Sequence, residues 1–329
     1  MMNEVYNDTG IPIYPTLGNH GCFPVNVIDF DNDEWLTSFM AEKWAYFLPE
    51  EQQEQIKNWG GAYSILNEKH NIRVISLNTN ACNNQNWFFF RNVTDQGGQI
   101  QFMEQELKKA EAEGSKVYFI GHIATCLGSC LDAWSKHYMT LVERYAHIVV
   151  GQFFGHTHDD VTCVTRALDS DIPIGMQYMP GSVTTYTNEN PSYRVYQVEK
   201  DSKIVYDWTE YRLNLTKYND NPELTPVWDV AYTFKNEYNV TDMLPETMGK
   251  WVTETLMHDE AAAVKLLFNK GTGGPAVPST CDANCRKSLA CSMNYGVAED
   301  QRKCDGSTLS WSDTLIQELF GEWTYKVDL

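Results

Sequence analysis

The sequence predicts an α/β fold built on a largely buried sheet, and three observations carry that prediction. Short apolar runs of strand length alternate with segments whose apolar residues recur at helical spacing. Three of the runs end in a glycine with a histidine at or just after it: Gly18-Asn19-His20, Gly121-His122 and Gly155-His156. Beyond about residue 208 the composition changes to helical segments and a cysteine-rich tail.

Taken in order, Ile11 to Leu17 is an apolar run closed by Gly18, which predicts a buried strand and a loop. Trp35 to Phe47 carries Trp35, Leu36, Phe39, Met40, Trp44 and Phe47 at helical spacing. Ala62 to Leu66 and Ile72 to Leu77 predict two strands around a polar turn. Gln99 to Ala112 is rich in Glu, Gln, Lys and Leu, all good helix formers. Lys116 to Ile120 predicts a strand, Trp134 to Tyr145 a helix, and His147 to Phe154 a third apolar strand. Val161 to Thr165, Met176 to Met179, Tyr193 to Val198 and Ile204 to Trp208 predict further strands. Pro245 to Leu256 and Glu260 to Phe268 predict helices, and Gly271 to Pro275 a linker-like break. A cysteine-rich stretch from Cys281 to Cys304 and an amphipathic segment from Trp311 to Phe320 follow. This pattern predicts a division into residues 1–208 and a helical, disulfide-rich subdomain, residues 209–329.

Composition narrows the partners. The 329 residues carry 44 Asp+Glu against 25 Lys+Arg, a net charge of −19. That excess argues against nucleic acid as a partner. No run approaches the roughly 18 apolar residues of a transmembrane helix. Nine cysteines and four Asn-x-Ser/Thr sequons, at Asn7, Asn92, Asn214 and Asn239, predict a glycoprotein of an oxidising route, secreted or lysosomal. The N-terminus, Met1 to Tyr6, lacks the basic start and apolar stretch of a signal peptide, so the chain is expected to be the later part of a longer protein. The oligomeric state is left open.

Four of the eight histidines, His20, His122, His156 and His158, sit in the three strand-end motifs. Metal-assisted hydrolysis needs neutral imidazole and amide or carboxylate oxygen converging on one point, and loops at strand ends deliver such groups from distant parts of a chain. The glycines permit sharp turns and close backbone approach. His156-Thr157-His158 on extended backbone would turn both rings to one side. His70, His137, His147 and His258 lack this context and are expected to be structural.

In that order the motifs Gly18-Asn19-His20, Gly121-His122 and Gly155-His156-Thr157-His158 resemble the later motifs of the calcineurin-like metallophosphoesterases. Gly151 to His158, Thr184-Thr185-Tyr186, Asn190 to Gln197, Leu213 to Thr216 and the spacing of Cys281, Cys285, Cys291 and Cys304 resemble the acid sphingomyelinases within them. The resemblance implies a layered metallophosphoesterase sheet sandwich flanked by helices. It implies two zinc ions that clamp a phosphodiester for in-line attack, with sphingomyelin hydrolysed to ceramide and phosphocholine at a membrane surface. On it, Asn19, His122 and His156 match ligands of one zinc and His158 a ligand of the other. His20 matches a histidine that steadies the phosphate or protonates the leaving alkoxide, and Tyr186 a tyrosine beside the head group. Disulfides Cys82–Cys130, Cys281–Cys285 and Cys291–Cys304 are implied in the same way.

The family's earlier motifs, an Asp-x-His and a Gly-Asp with a metal-bridging aspartate, are not found among the 17 residues before Gly18. Gly21 also stands where the family usually has an acid, and Ala124-Thr125 where it usually has prolines. The ligands that remain suit at most one zinc, and this literal chain is expected to turn over little phosphodiester. Cys22, Cys126 and Cys163 are left over; Cys22 and Cys126 either bridge each other near the metal or stand as free thiols. Two alternatives accompany the main reading. One is a phosphodiesterase of nucleotides or other phosphate esters; the other is a non-catalytic secreted protein that binds zinc or lipid.

Overall fold

The computed structural model describes residues 2–92, 94–168, 170–186, 188–274 and 278–320. Val93 of one sequon, Pro275 of the glycine-rich break and the last nine residues of the expected C-terminal subdomain lie outside them. The protein is a mixed α/β structure with four disulfides. It divides into two compact units, Met1–Ile123 with Gly128–Val149 and Ser310–Leu329, and Ala124–Leu127 with Val150–Leu309.

In the first unit, β1 (Tyr63–Asn67) and β2 (Ile72–Ser76) form an antiparallel hairpin with Tyr63 opposite Ser76. β3 (Lys116–Ile120) lies parallel to β2, with Ile72 opposite Lys116. A parallel pair needs a crossover, and the helix Gln99–Glu113 supplies it. That helix buries Ile100, Met103, Leu107 and Ala110 on one stripe. It ends at Gly114, whose left-handed φ of 70° lets its N–H reach the carbonyls of Ala110 and Glu111. Arg73 of β2 is buried against Glu106 of the same helix and also pairs with the more exposed Glu113, so its buried charge is matched. Helices Glu34–Trp44 and Glu50–Asn58 close a smaller apolar cluster of Leu36, Met40, Ile56 and Tyr63. Helix Asp132–Arg144 buries Trp134 and Tyr138, stacked at 5.6 Å. Helix Trp311–Phe320 brings Asp313 to cap the backbone N–H of Asp132.

The strand expected at Ile11 to Leu17 does not form. Pro12 and Pro15 remove two ladder donors, so the segment is irregular. Its Pro15 carbonyl instead accepts the hydroxyl of Tyr63 at 2.8 Å.

In the second unit, β4 (Val149–Phe153), β5 (Val161–Arg166) and β6 (Pro173–Met179) run in the order β4-β6-β5. β6 is parallel to β4 and antiparallel to β5, with Thr162 opposite Tyr178. A second sheet, β7 (Ser192–Val198), β8 (Val205–Arg212) and β9 (Asp229–Thr233), is antiparallel throughout. Its inner face packs Trp208 and Tyr232 into a core with Phe234, Tyr238, Trp251 and Leu256. Helix Pro245–Lys250 continues into a π-helical turn, Trp251–Leu256. Asp259 then caps helix Glu260–Lys270 by accepting the N–H groups of Ala261 and Ala262. Helices Ala283–Asn294 and Ala298–Asp305 complete the unit.

The sulfur atoms pair as Cys82–Cys130 in the first unit and Cys126–Cys163, Cys281–Cys285 and Cys291–Cys304 in the second. Cys126 therefore does not bridge to Cys22, because it is already bonded to Cys163; Cys22 is a buried free thiol. Disulfides at this density fit an oxidising compartment. No helix of the described residues is long and apolar enough to cross a membrane.

Candidate metal centre

Asn19 opens a single 3-10 turn, Asn19–Gly21, closed by the Gly21 N–H on the Gly18 carbonyl. Its side chain is buried and its amide N–H₂ donates to Asn26 Oδ1 at 2.6 Å. Asn26 Oδ1 also accepts from Asn83 at 3.1 Å, which holds the acceptor in place. With its amide nitrogen engaged in this way, Asn19 Oδ1 points at His122 Nε2, 2.7 Å away. His122 follows β3, and its backbone N–H and that of Ile123 both donate to Thr79 Oγ1. A methyl group on Gly18 would lie 3.2 Å from the His122 ring, so a glycine there admits the close approach. His20 shares the turn with Asn19 and is exposed.

The second histidine pair belongs to the second unit. Phe154 is tied to Tyr178, and the chain then turns through Gly155-His156-Thr157-His158 before β5. His156 and His158 have φ of 77° and 67°, so the extended backbone expected for His-x-His is not present. Two left-handed excursions within three residues, by residues with a Cβ, are disfavoured and persist only where the surroundings impose them. The Ser182 N–H donates to the His158 carbonyl at 3.1 Å. The His158 ring meets Tyr186 edge-on at 5.9 Å, and Tyr186 is 72% exposed.

Just beyond His158, Asp160 is buried in a charged cluster. Its carboxylate accepts from Arg194 and from the Tyr232 hydroxyl, and Arg194 Nε donates to Glu210 at 3.1 Å. Burial and the nearby Asp160 charge lift the Glu210 carboxyl to about 7, against the pull of Arg194. Asp160 and Arg194 were not singled out by sequence reasoning as site residues. The only signal was position: Asp160 two residues past His158, and Arg194 within the Asn190 to Gln197 segment.

A carboxamide oxygen and neutral imidazoles are donors that suit zinc or a similar divalent ion. Asn19 and His122 supply one donor of each kind and stand in direct hydrogen-bond contact, so a metal there would take the place of that hydrogen bond. Among the described residues no group of three or more His, Cys, Asp or Glu forms a ready cage. The sequon asparagines Asn7, Asn92, Asn214 and Asn239 are all exposed. His137, by contrast, is buried, and burial lowers its pKa.

Residues 176–307 match the family model described as acid sphingomyelin phosphodiesterase C-terminal region. The chain is 35% identical over 306 residues to a sphingomyelin phosphodiesterase of Bos taurus, covering 89% of this chain and 48% of the relative. Against the Homo sapiens sphingomyelin phosphodiesterase the identity is 34%, covering 89% and 47%. A cyclic GMP-AMP phosphodiesterase, SMPDL3A of Mus musculus, is 26% identical over 94% of this chain and 69% of its own length. The chain thus spans about half the length of the sphingomyelin phosphodiesterases it matches.

Proposed function

The chain belongs to the acid sphingomyelin phosphodiesterase family, a family of hydrolases, and from that premise we propose hydrolysis of sphingomyelin to ceramide and phosphocholine as its reaction, with little turnover expected of these residues alone because the family's Asp-x-His and Gly-Asp motifs are not among them. Water adds across the phosphodiester: phosphocholine keeps the phosphorus and gains the oxygen, and the ceramide alkoxide leaves with a proton. Asn19, His122 and His156 would hold one zinc, and His158 matches a ligand of the second zinc of the family. When bound, the metal neutralises charge on the phosphate and activates water. His20, exposed on the turn next to Asn19, steadies the phosphate or gives the proton to the leaving alkoxide. Tyr186, exposed beside His158, contacts the choline head group.

The observation that carries this reading is the convergence of Asn19 and His122 in a chain so similar to sphingomyelin phosphodiesterases. In the same proposal residues 1–208 are the C-terminal part of a layered metallophosphoesterase sandwich and residues 209–329 a helical subdomain. The protein is a secreted or lysosomal glycoprotein, modified at Asn7, Asn92, Asn214 and Asn239, that meets its lipid at a membrane surface.

Phosphocholine release from sphingomyelin vesicles, with zinc present, tests the activity. Release that falls by roughly a hundredfold or more in His20→Ala supports it. The likeness to a cyclic GMP-AMP phosphodiesterase favours a second reading, cleavage of nucleotide phosphodiesters. Turnover of a cyclic dinucleotide without phosphocholine release would replace the first reading with it. Zinc or vesicle binding without turnover of either would leave a non-catalytic binding protein.

A further inference from the structure

We infer that Arg194 is a positioning residue for the His156–His158 turn, acting through Asp160; the inference rests on the proposed metal role of those histidines. The turn leaves β4 after Phe153 and enters β5 at Val161, with both histidines in left-handed backbone. Such a turn relaxes unless its ends are fixed. Its far end is Asp160, whose N–H donates to the Lys270 carbonyl and whose carboxylate is held by Arg194 and Tyr232.

Arg194 has little freedom of its own. Its side chain is wholly buried, and its guanidinium lies 4.2 Å over the Trp208 ring. One nitrogen donates to Glu210 at 3.1 Å and another reaches the Met179 carbonyl at 3.4 Å. Met179 ends β6, the strand that separates β4 from β5. A single planar fork therefore joins the end of β6, the exit of the turn and β8. Two carboxylates share this cation, so its removal takes away the counter-ion they pair with, and the Tyr232 hydroxyl on Asp160 carries no charge to replace it. A group that only filled core volume would not need that arrangement; a clamp that sets the direction of two rings would.

Two readouts on the full chain test the inference: hydrogen exchange of the peptide covering residues 154–161, and calorimetric titration with zinc chloride alone. Asp160→Asn and Arg194→Lys are expected to speed exchange across that peptide about tenfold, with residues 245–256 unchanged. Zinc affinity should fall roughly ten- to hundredfold, the usual effect of losing a group that orients a ligand. Trp251→Leu, a core substitution in the same unit, should alter zinc affinity in neither direction. Should Arg194→Lys fail to fold, Tyr232→Phe removes one hydrogen bond to Asp160 and should shift both readouts the same way by less. Unchanged exchange in the turn, exchange that rises equally everywhere, or zinc affinity held in folded variants would overturn the inference. A parent chain that takes up no zinc contradicts the metal reading instead, and the local exchange still decides whether the clamp exists.

Discussion

Asn19 Oδ1 lies 2.7 Å from His122 Nε2, although 103 residues separate them along the chain. The contact depends on a relay, Asn83 to Asn26 to Asn19, that keeps the carboxamide facing the ring. Asn19→Leu, which removes the oxygen and keeps the bulk, should weaken zinc uptake and lower stability by about 1 kcal/mol through the lost side-chain hydrogen bonds. Zinc titration and urea denaturation of the variant measure both; wild-type values in each would show that the pair has no joint role.

Stability should depend on pH through Glu210. Its folded carboxyl titrates near 7, above the ordinary value of 4.5, because it is buried beside Asp160 with one shared Arg194. The folded chain thus binds a proton more tightly than the unfolded chain between those values. The associated stability is fully present below about pH 4.5 and is lost as the pH rises through about 7. Thermal melts from mildly acid to neutral buffer should fall more steeply for the parent than for Glu210→Gln. Parallel slopes would contradict the assignment.

Gly97 has φ of 63°, and a methyl group there would lie 2.2 Å from the Phe30 ring. Gly97→Ala meets both a disfavoured backbone and a filled space, so a loss of about 2 kcal/mol or more is expected. The midpoint of a urea transition reads it directly, and an unmoved midpoint would mean that the loop before the crossover helix rearranges freely.

Nine cysteines and four disulfides leave Cys22, whose thiol burial pushes up to about 11. One thiol per chain should react under denaturing, non-reducing conditions, and almost none in the native state. Three reactive thiols would mean that Cys126 and Cys163 are not joined. Cys163→Ser should cost roughly 2–4 kcal/mol by opening that bridge.

Much of the sheet was legible because its strands are apolar runs of the right length: Lys116 to Ile120 is a strand at the bounds expected. Ile11 to Leu17 has the hydrophobicity of a strand, but Pro12 and Pro15 deny it the ladder donors of one. Helix Glu50–Asn58 went unseen since Ile56 is its one apolar residue; Gln52 anchors it instead, by a hydrogen bond to the Ser64 carbonyl. β9 was missed because most of it is exposed. Within the site, histidines do not announce left-handed backbone, so the shape of the His156–His158 turn was hidden. The grip of Arg194 on Asp160 spans 34 residues and two sheets, and no local pattern encodes it.

The central claim is that Asn19, His122, His156 and His158 serve to bind metal. Elemental analysis of the purified, dialysed chain beside His122→Ala and His156→Ala tests it most directly. The account predicts zinc retained by the parent and lost from each folded variant. A parent free of zinc after exposure to it, or variants that keep the parent's zinc content, would contradict it.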